Sequence, residues 1–320
     1  MSPSIRGHFL WHELITSNPE AAKPFYRKVV GWTSQPWTDP GYSIFMTGKA
    51  PSAGLMLMPP ELKAAGAPPH WVSYIGTDDV DATVGHATTL GGQVLKGVTE
   101  LPVVGKFAVL KDPQGAVFIA YTPASGGVPS YPAALGGFSW NELATTNWQA
   151  AFAFYSALFG WEKGQGMDMG PMGIYQILQQ NGDQIGAMFN KPPEIPVPNW
   201  LPYARVKNVA AAAAAVKGAG GQVINGPMDV PGGSIVQLLD PQGAVFAIHT
   251  MAEAAPAPKA AKPKPKAAKK PAKKAVKKSV KKAVKKPVKK AAKKPAAKKA
   301  APKAAKRKAA KKPTGRKRGR

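Results

Sequence analysis

Cysteine is absent from the 320 residues. That excludes disulfides, zinc–thiolate sites, iron–sulfur clusters and thiol nucleophiles, and leaves the redox compartment open. No run approaches the ~18–20 apolar residues of a membrane-spanning helix. The opening MSPSIRGHFLWHEL lacks a basic n-region, a long apolar stretch and a small-residue cleavage site, so no secretory signal is expected. No GxxxxGK(S/T) or GxGxxG lies between a strand and a helix pattern, so phosphate-cradling loops are excluded. Gly91-Gly92 and Gly220-Gly221 read as helix stops. Acidic residues are nearly missing from one end. Residues 251–320 hold 30 of the 44 Lys and Arg and a single acid, Glu253, a charge of +29. The first 250 residues carry 14 basic and 16 acidic side chains, a charge of −2. A near-neutral body, long enough for one large or two ordinary domains, therefore carries a cationic arm.

What is present is a duplication. FLWHELITSNPEAAKPFYRKVVGW, residues 9–32, matches FSWNELATTNWQAAFAFYSALFGW, residues 138–161. Trp11, Glu13, Leu14, Thr16, Phe25, Tyr26, Gly31 and Trp32 all recur 129 residues later, as do Trp71 and Tyr74 at Trp200 and Tyr203. GGQV at 91–94 returns at 220–223, and DPQGAVF at 112–118 returns at 240–246, one residue out of step. Two copies are expected, at 5–122 and 134–250, with a Gly/Pro/Ser-rich linker at 123–133 and a basic tail at 251–320.

Each copy reads as strands alternating with helices. Residues 9–15 alternate and are rich in aromatic and β-branched types, which predicts a strand. Asn18 before Pro19 predicts a helix start. Ala22, Phe25, Tyr26 and Val29 form its apolar stripe, Gly31 stops it, and Pro24 is expected to bend it. Strands are expected near 42–47, 54–58, 71–76, 105–111 and 116–121. A second helix is expected over 79–90, with a nearly all-alanine counterpart at 209–216. Asp-Pro-Gln-Gly is a turn between the last two strands.

This order, with a strand leading into TxxxxxAxxFYxxxxGW and a DPxG turn before the last strand, resembles the vicinal oxygen chelate superfamily. That group includes glyoxalases, extradiol dioxygenases and bleomycin-resistance proteins. The resemblance covers 5–122 and 134–250. It implies an α+β fold of two tandem domains, each of paired βαβββ modules around a cleft. The WxEL opening and the W…Y strand are most similar to glyoxalase-like or hydroxylase-like members. Metal-bearing members place ligands at positions that here are Trp11, Val72 and Ile119, and Trp140, Leu201 and Ala247 in the second copy. A further ligand position falls within Gly54–Met58. None of these is His or carboxylate, which a divalent ion requires in number. No metal and no cofactor are expected.

Strand alternation then says what fills the clefts. If Trp11 faces inward, so do Glu13 and Ile15, while Val72 brings Tyr74 and Ile119 brings Tyr121. The second cleft holds Trp140, Glu142, Leu201, Tyr203, Ala247 and His249. Trp11, Tyr74, Tyr121, Trp140, Tyr203 and His249 are candidate ligand-binding residues. Glu13 and Glu142 are candidate catalytic residues. A carboxylate among aromatic rings has its charged form desolvated and its pKa raised, which suits a general acid/base or an anchor for a flat ligand. The same Glu–Tyr pair also reads as a satisfied buried hydrogen bond that fixes the module pairing. Both readings stand here. The superfamily can pair modules within a domain or exchange them between domains, and exchange would set Trp11 against Leu201 and Ala247. His8 and His12 fall on the face opposite Trp11 and read as structural; Met56 and Met58 read as core filler.

From Pro256 the chain repeats Lys, Ala, Pro and Val, as in KKPAKKAVKKSVKKAVKKPVKK. Lysines four apart repel on a helix, and Pro271, Pro287 and Pro295 interrupt one. Little apolar bulk is available to bury, so a disordered tail is expected. It resembles in composition the tails of linker histones and of Lys/Ala/Pro-rich bacterial nucleoid proteins. Ammonium groups neutralise phosphates and release counterions, which gives salt-dependent, sequence-indifferent binding. Aromatics are absent from 254–320, so base stacking is unavailable. The sequence thus points to a monomer or homodimer that binds a small apolar or aromatic ligand. Residues 256–320 would hold it to nucleic acid, without membrane contact. The expected location is the cytoplasm, or the nucleoid if bacterial. The alternatives are a metal-independent lyase or isomerase using Glu13 or Glu142, and a nucleoid or chromatin protein acting mainly through its tail.

Overall fold

The structure, a computed structural model, describes residues 4–37, 40–125 and 133–251. Most of the expected linker and all but the first residue of the basic tail lie outside the described residues. The first copy runs β1 (Phe9–Thr16), α1 (Pro19–Val29), β2 (Thr33–Pro36), β3 (Tyr42–Thr47), β4 (Ala50–Leu57), α2 (Pro60–Ala64), β5 (His70–Gly76), α3 (Val80–Thr89), β6 (Gln93–Leu101), β7 (Gly105–Lys111) and β8 (Val117–Pro123). The second runs β9 (Phe138–Thr145), α4 (Trp148–Phe159), β10 (Glu162–Asp168), β11 (Ile174–Gln180), β12 (Asp183–Asn190), β13 (Asn199–Arg205), α5 (Val209–Gly218), β14 (Gln222–Val230), β15 (Gly233–Leu239) and β16 (Val245–Met251).

The local signals work as written. Asn18 accepts from the Ala21 amide at 3.1 Å, Pro19 opens α1, and the chain leaves the helix through Gly31 at φ +93°. Pro24 lies inside α1 on its exposed side, so the carbonyl its ring frees can reach water and the helix continues. Four strands carry little sequence signal: β2, β6, β10 and β14 are sheet edges whose residues are mostly exposed, so neither alternation nor burial marks them.

Each copy builds its own sheet, in the order β2-β3-β4-β1-β5-β8-β7-β6 and β10-β11-β12-β9-β13-β16-β15-β14. The two modules of a copy meet at the centre, where β1 runs parallel to β4 and antiparallel to β5. Modules are therefore paired within a copy in the sheets: Trp11 lies opposite Tyr74 and Glu13 opposite Val72.

On the other face the copies are interleaved. One core joins Phe25, Tyr26 and Trp32 of the first copy to Val209, Val216 and Phe246 of the second. The other joins Ile75 and Phe118 of the first copy to Phe154, Tyr155 and Trp161 of the second. Burying one Phe contributes ~1.5–3 kcal/mol; α1 packs on α5 of the opposite copy, and α4 packs both on α3 of the opposite copy and on β9 and β12 of its own.

The repeated motifs meet across this seam. Tyr26 donates to Asp240 at 3.1 Å and accepts from the Trp71 indole at 3.0 Å. Symmetrically, Tyr155 donates to Asp112 at 3.1 Å and accepts from Trp200 at 2.9 Å. The indoles of Trp32 and Trp161 donate to the carbonyls of Gly136 and Gly7, each at 2.7 Å. His12 and its repeat-mate Asn141 bond to each other at 2.7 Å, both buried, which places them at the pseudo-two-fold axis. The FY tyrosine, the GW tryptophan and the DPQG aspartate thus hold the two copies together.

Candidate functional site

The concave face follows from register. Paired residues share a face, so Trp11–Tyr74, Glu13–Val72, Tyr74–Ile119 and Ile119–Val109 set Trp11, Glu13, Tyr74, Val109 and Ile119 on one side. The corresponding pairs set Trp140, Glu142, Tyr203, Ala247 and Gln237 together in the second copy. Both glutamates are buried, at 5% and 8% exposure.

In the second cleft each carboxylate oxygen of Glu142 has its own phenol. Tyr175 donates to Oε1 at 2.6 Å and Tyr203 to Oε2 at 2.5 Å. The Trp140 indole donates to the Tyr175 hydroxyl at 2.8 Å, and the Gln237 amide to the Tyr203 hydroxyl at 2.7 Å. Indole and amide N–H groups can only donate, so each phenol spends its single proton on the carboxylate. In the first cleft Glu13 bonds Tyr42 and Tyr74, and Tyr42 bonds Trp11. Gly54 faces Glu13 on β4. A Cβ there would lie 2.1 Å from the Tyr42 hydroxyl, so the phenol occupies the space that glycine leaves.

Burial is the largest influence on both carboxyls and raises their pKa; the phenol hydrogen bonds oppose it. Burial, and then the neighbouring carboxylate charge, pushes Tyr74, Tyr175 and Tyr203 well above the usual phenol value. These hydroxyls stay protonated donors. Either carboxylate can take a proton from a ligand only where a phenol turns aside.

All eight candidate residues come to the concave faces, six of them in these networks. Trp11 and Trp140 are held edge-on as donors to the phenols. Tyr121 packs edge-to-face on Tyr74 at 5.5 Å and donates to the Val104 carbonyl at 2.8 Å. His249 bonds Ser139 at 2.6 Å, and burial with the Arg205 charge pushes its pKa down to about 4. Tyr42 and Tyr175 fall outside the repeat register: they lie 133 residues apart rather than 129, because the intervening loops differ in length. An aromatic on the inward parity of the third strand of each copy is the signal that could have found them.

The family's metal-ligand positions carry no donors. Val72, Ile119, Leu201 and Ala247 are buried hydrocarbon on the cleft floors. Among the described residues no group of three or more His, Cys, Asp or Glu converges. One carboxylate already capped by two protonated phenols does not fit a divalent ion. Cavities of about 370 and 210 Å³ lie beside α1 and beside α3, away from both clefts.

Two curled eight-stranded sheets with these signatures define the class. Residues 6–119 and 137–248 match the glyoxalase/bleomycin resistance protein/dioxygenase superfamily, and the chain belongs to it. It is 34% identical over 244 residues to a protein provisionally named glyoxylase CFP32 from Mycobacterium tuberculosis, covering 74% of this chain and 92% of that one. It is 30% identical over 265 residues to the anthracycline biosynthesis protein DnrV of Streptomyces peucetius, covering 77% and 94%. The Mn(II)-bound glyoxalase from Novosphingobium aromaticivorans shares the fold at a TM-score of 0.57 and 18% identity, over 78% of this chain and 83% of that one. The 2,3-dioxygenase LapB from Pseudomonas sp. KL28 shares it at 0.56 and 13%, over 79% and 96%. Among the described residues no helix is long and apolar enough to cross a membrane.

Proposed function

We propose that this chain is a metal-free, glyoxalase-like binding protein for a small apolar or aromatic ligand, tethered to nucleic acid by residues 256–320. The observation that carries the reading is the cleft chemistry. Hydrocarbon stands at every family ligand position on β5, β8, β13 and β16, and aromatic rings with hydroxyl donors surround the one carboxylate. Such a surface favours flat, weakly polar molecules over hydrated ions. Relatives named for anthracycline biosynthesis agree with it, anthracyclines being planar fused-ring compounds. Metal analysis of the protein purified without chelators is expected to find less than a tenth of an equivalent of transition metal; a stoichiometric metal would overturn the reading.

The tail reading rests on charge, +29 over 70 residues. Titration of duplex DNA against salt should give a steep negative slope of log affinity that disappears on truncation after Met251. A slope unchanged by truncation would refute the tether. An enzyme reading has one observation in its favour, the raised carboxyl pKa of Glu13 and Glu142. In that case Glu13→Gln or Glu142→Gln would keep ligand affinity and abolish turnover.

A further inference from the structure

The two clefts differ where their networks end. In the second, Gln237 caps the Tyr203 hydroxyl at 2.7 Å, Asn225 lies 3.4 Å behind Gln237, and Ser139 bonds His249 at 2.6 Å. Tyr203 is 1% exposed. Each of these side chains has a hydrogen-bond partner among the others, with Gln237 and His249 partly exposed and Asn225 exposed. In the first cleft the same register positions hold Val109, Lys96, Leu10 and Tyr121. Tyr74 lacks the amide cap and is partly exposed, as are Phe107 and Tyr121. Tyr74 stands 5.5 Å from Tyr121 and 6.5 Å from Phe107, ring centre to ring centre. The Lys96 ammonium lies 5.4 Å from the Phe107 ring centre, exposed; its charge acts on Glu13 from beyond contact distance, and no carboxylate among the described residues forms a salt bridge with it.

We infer that the clefts divide their labour. The first binds a planar aromatic carboxylate, its ring against Tyr74, Tyr121 and Phe107 and its anion at Lys96. The second, its Tyr203 phenol capped and buried, is a structural copy. This rests on the ligand-binding reading above and adds to it which cleft, which chemical class and which anchor. An aromatic ring at the uncapped phenol replaces water on three partly exposed rings. A carboxylate at Lys96 gains the cation that Asn225 cannot offer; the Glu13 charge, on which Lys96 also acts, is held by the hydroxyls of Tyr42 and Tyr74.

The test is isothermal titration of the full chain with 2-naphthoate and, as a neutral control, 2-naphthylmethanol. Salt of about 0.3 M screens the tail. One naphthoate per chain is expected. Lys96→Gln should weaken naphthoate at least tenfold and leave the alcohol within twofold. Val109→Gln installs the cap of the second cleft and should weaken both probes at least tenfold. Two equivalent sites per chain, or an unchanged naphthoate affinity in Lys96→Gln, would overturn the division of labour while leaving ligand binding intact. No binding of either probe by the unaltered chain would overturn both. Lys96 is exposed, so its variant should fold and decides the matter even if Val109→Gln does not.

Discussion

His12 offers a quantitative test of how the duplicated halves meet. It is 4% exposed, stacks on Phe138 at 4.1 Å and bonds Asn141 at 2.7 Å. The Asn141 Oδ1 accepts, so Nε2 carries the proton in the neutral ring. Burial pushes the His12 pKa down to about 4 from its ordinary 6.5, the Asn141 hydrogen bond opposing. A folded-state pKa below the unfolded one means that the folded state binds fewer protons between those values. The contribution is therefore fully present above about pH 6.5 and is lost as pH falls toward 4. At pH 5 the loss amounts to roughly 2 kcal/mol. His12→Asn removes the titrating ring and leaves a smaller side chain, a cost that does not vary with pH. Urea denaturation of both proteins at pH 7.5 and pH 5.0 should show the stability difference between them shrinking by about 2 kcal/mol on acidification. A difference constant to within about 0.5 kcal/mol would refute a buried neutral imidazole at the pseudo-two-fold axis.

Three further outcomes follow from the same packing. Gly54→Ala should drive the Tyr42 hydroxyl off Glu13 and cost about 1.5–3 kcal/mol, the range for a hydrogen bond to a charged group; chemical denaturation and the ultraviolet tyrosine signal read it, and an unaffected Tyr42 would contradict the placement. Tyr26→Phe strands the Trp71 indole and an Asp240 oxygen in the interior and should cost about 2–5 kcal/mol, with Tyr155→Phe matching it to within about 1 kcal/mol if the seam is symmetric. The raised pKa of Glu13 and Glu142 acts opposite to His12: the folded state holds their protons longer, so their contribution is present below the ordinary carboxyl value of 4.5 and is lost as pH rises through the folded one. Glu142→Gln should flatten that slope in a pH series of melting temperatures.

Much of the site was legible because alternation carries it. Once β1 is known to be a strand, Trp11 and Glu13 share a face with their partners on β5, and the repeat transfers the argument to Trp140, Glu142 and Tyr203. Tyr42 and Tyr175 escaped because loops of unequal length break the constant offset, although they complete both networks. Lys96 escaped because it sits on the edge strand β6, where exposed residues carry no periodic signal, and Gln237, inside the sheet on β15, because its repeat-mate Val109 is apolar and the repeat marks no polar position there.

Local chemistry alone determined the duplication, the helix start at Asn18, the alternating central strands and the hydrocarbon at the family's ligand positions, since each depends on residues close in the chain or on a repeated register. Tertiary structure alone decided that modules pair within a copy in the sheets yet share their cores across copies. Two surfaces of similar apolar character can be covered in either way, and contacts distant in the chain select between them: Tyr26 with Asp240, Tyr155 with Asp112, Trp161 with Gly7 and His12 with Asn141.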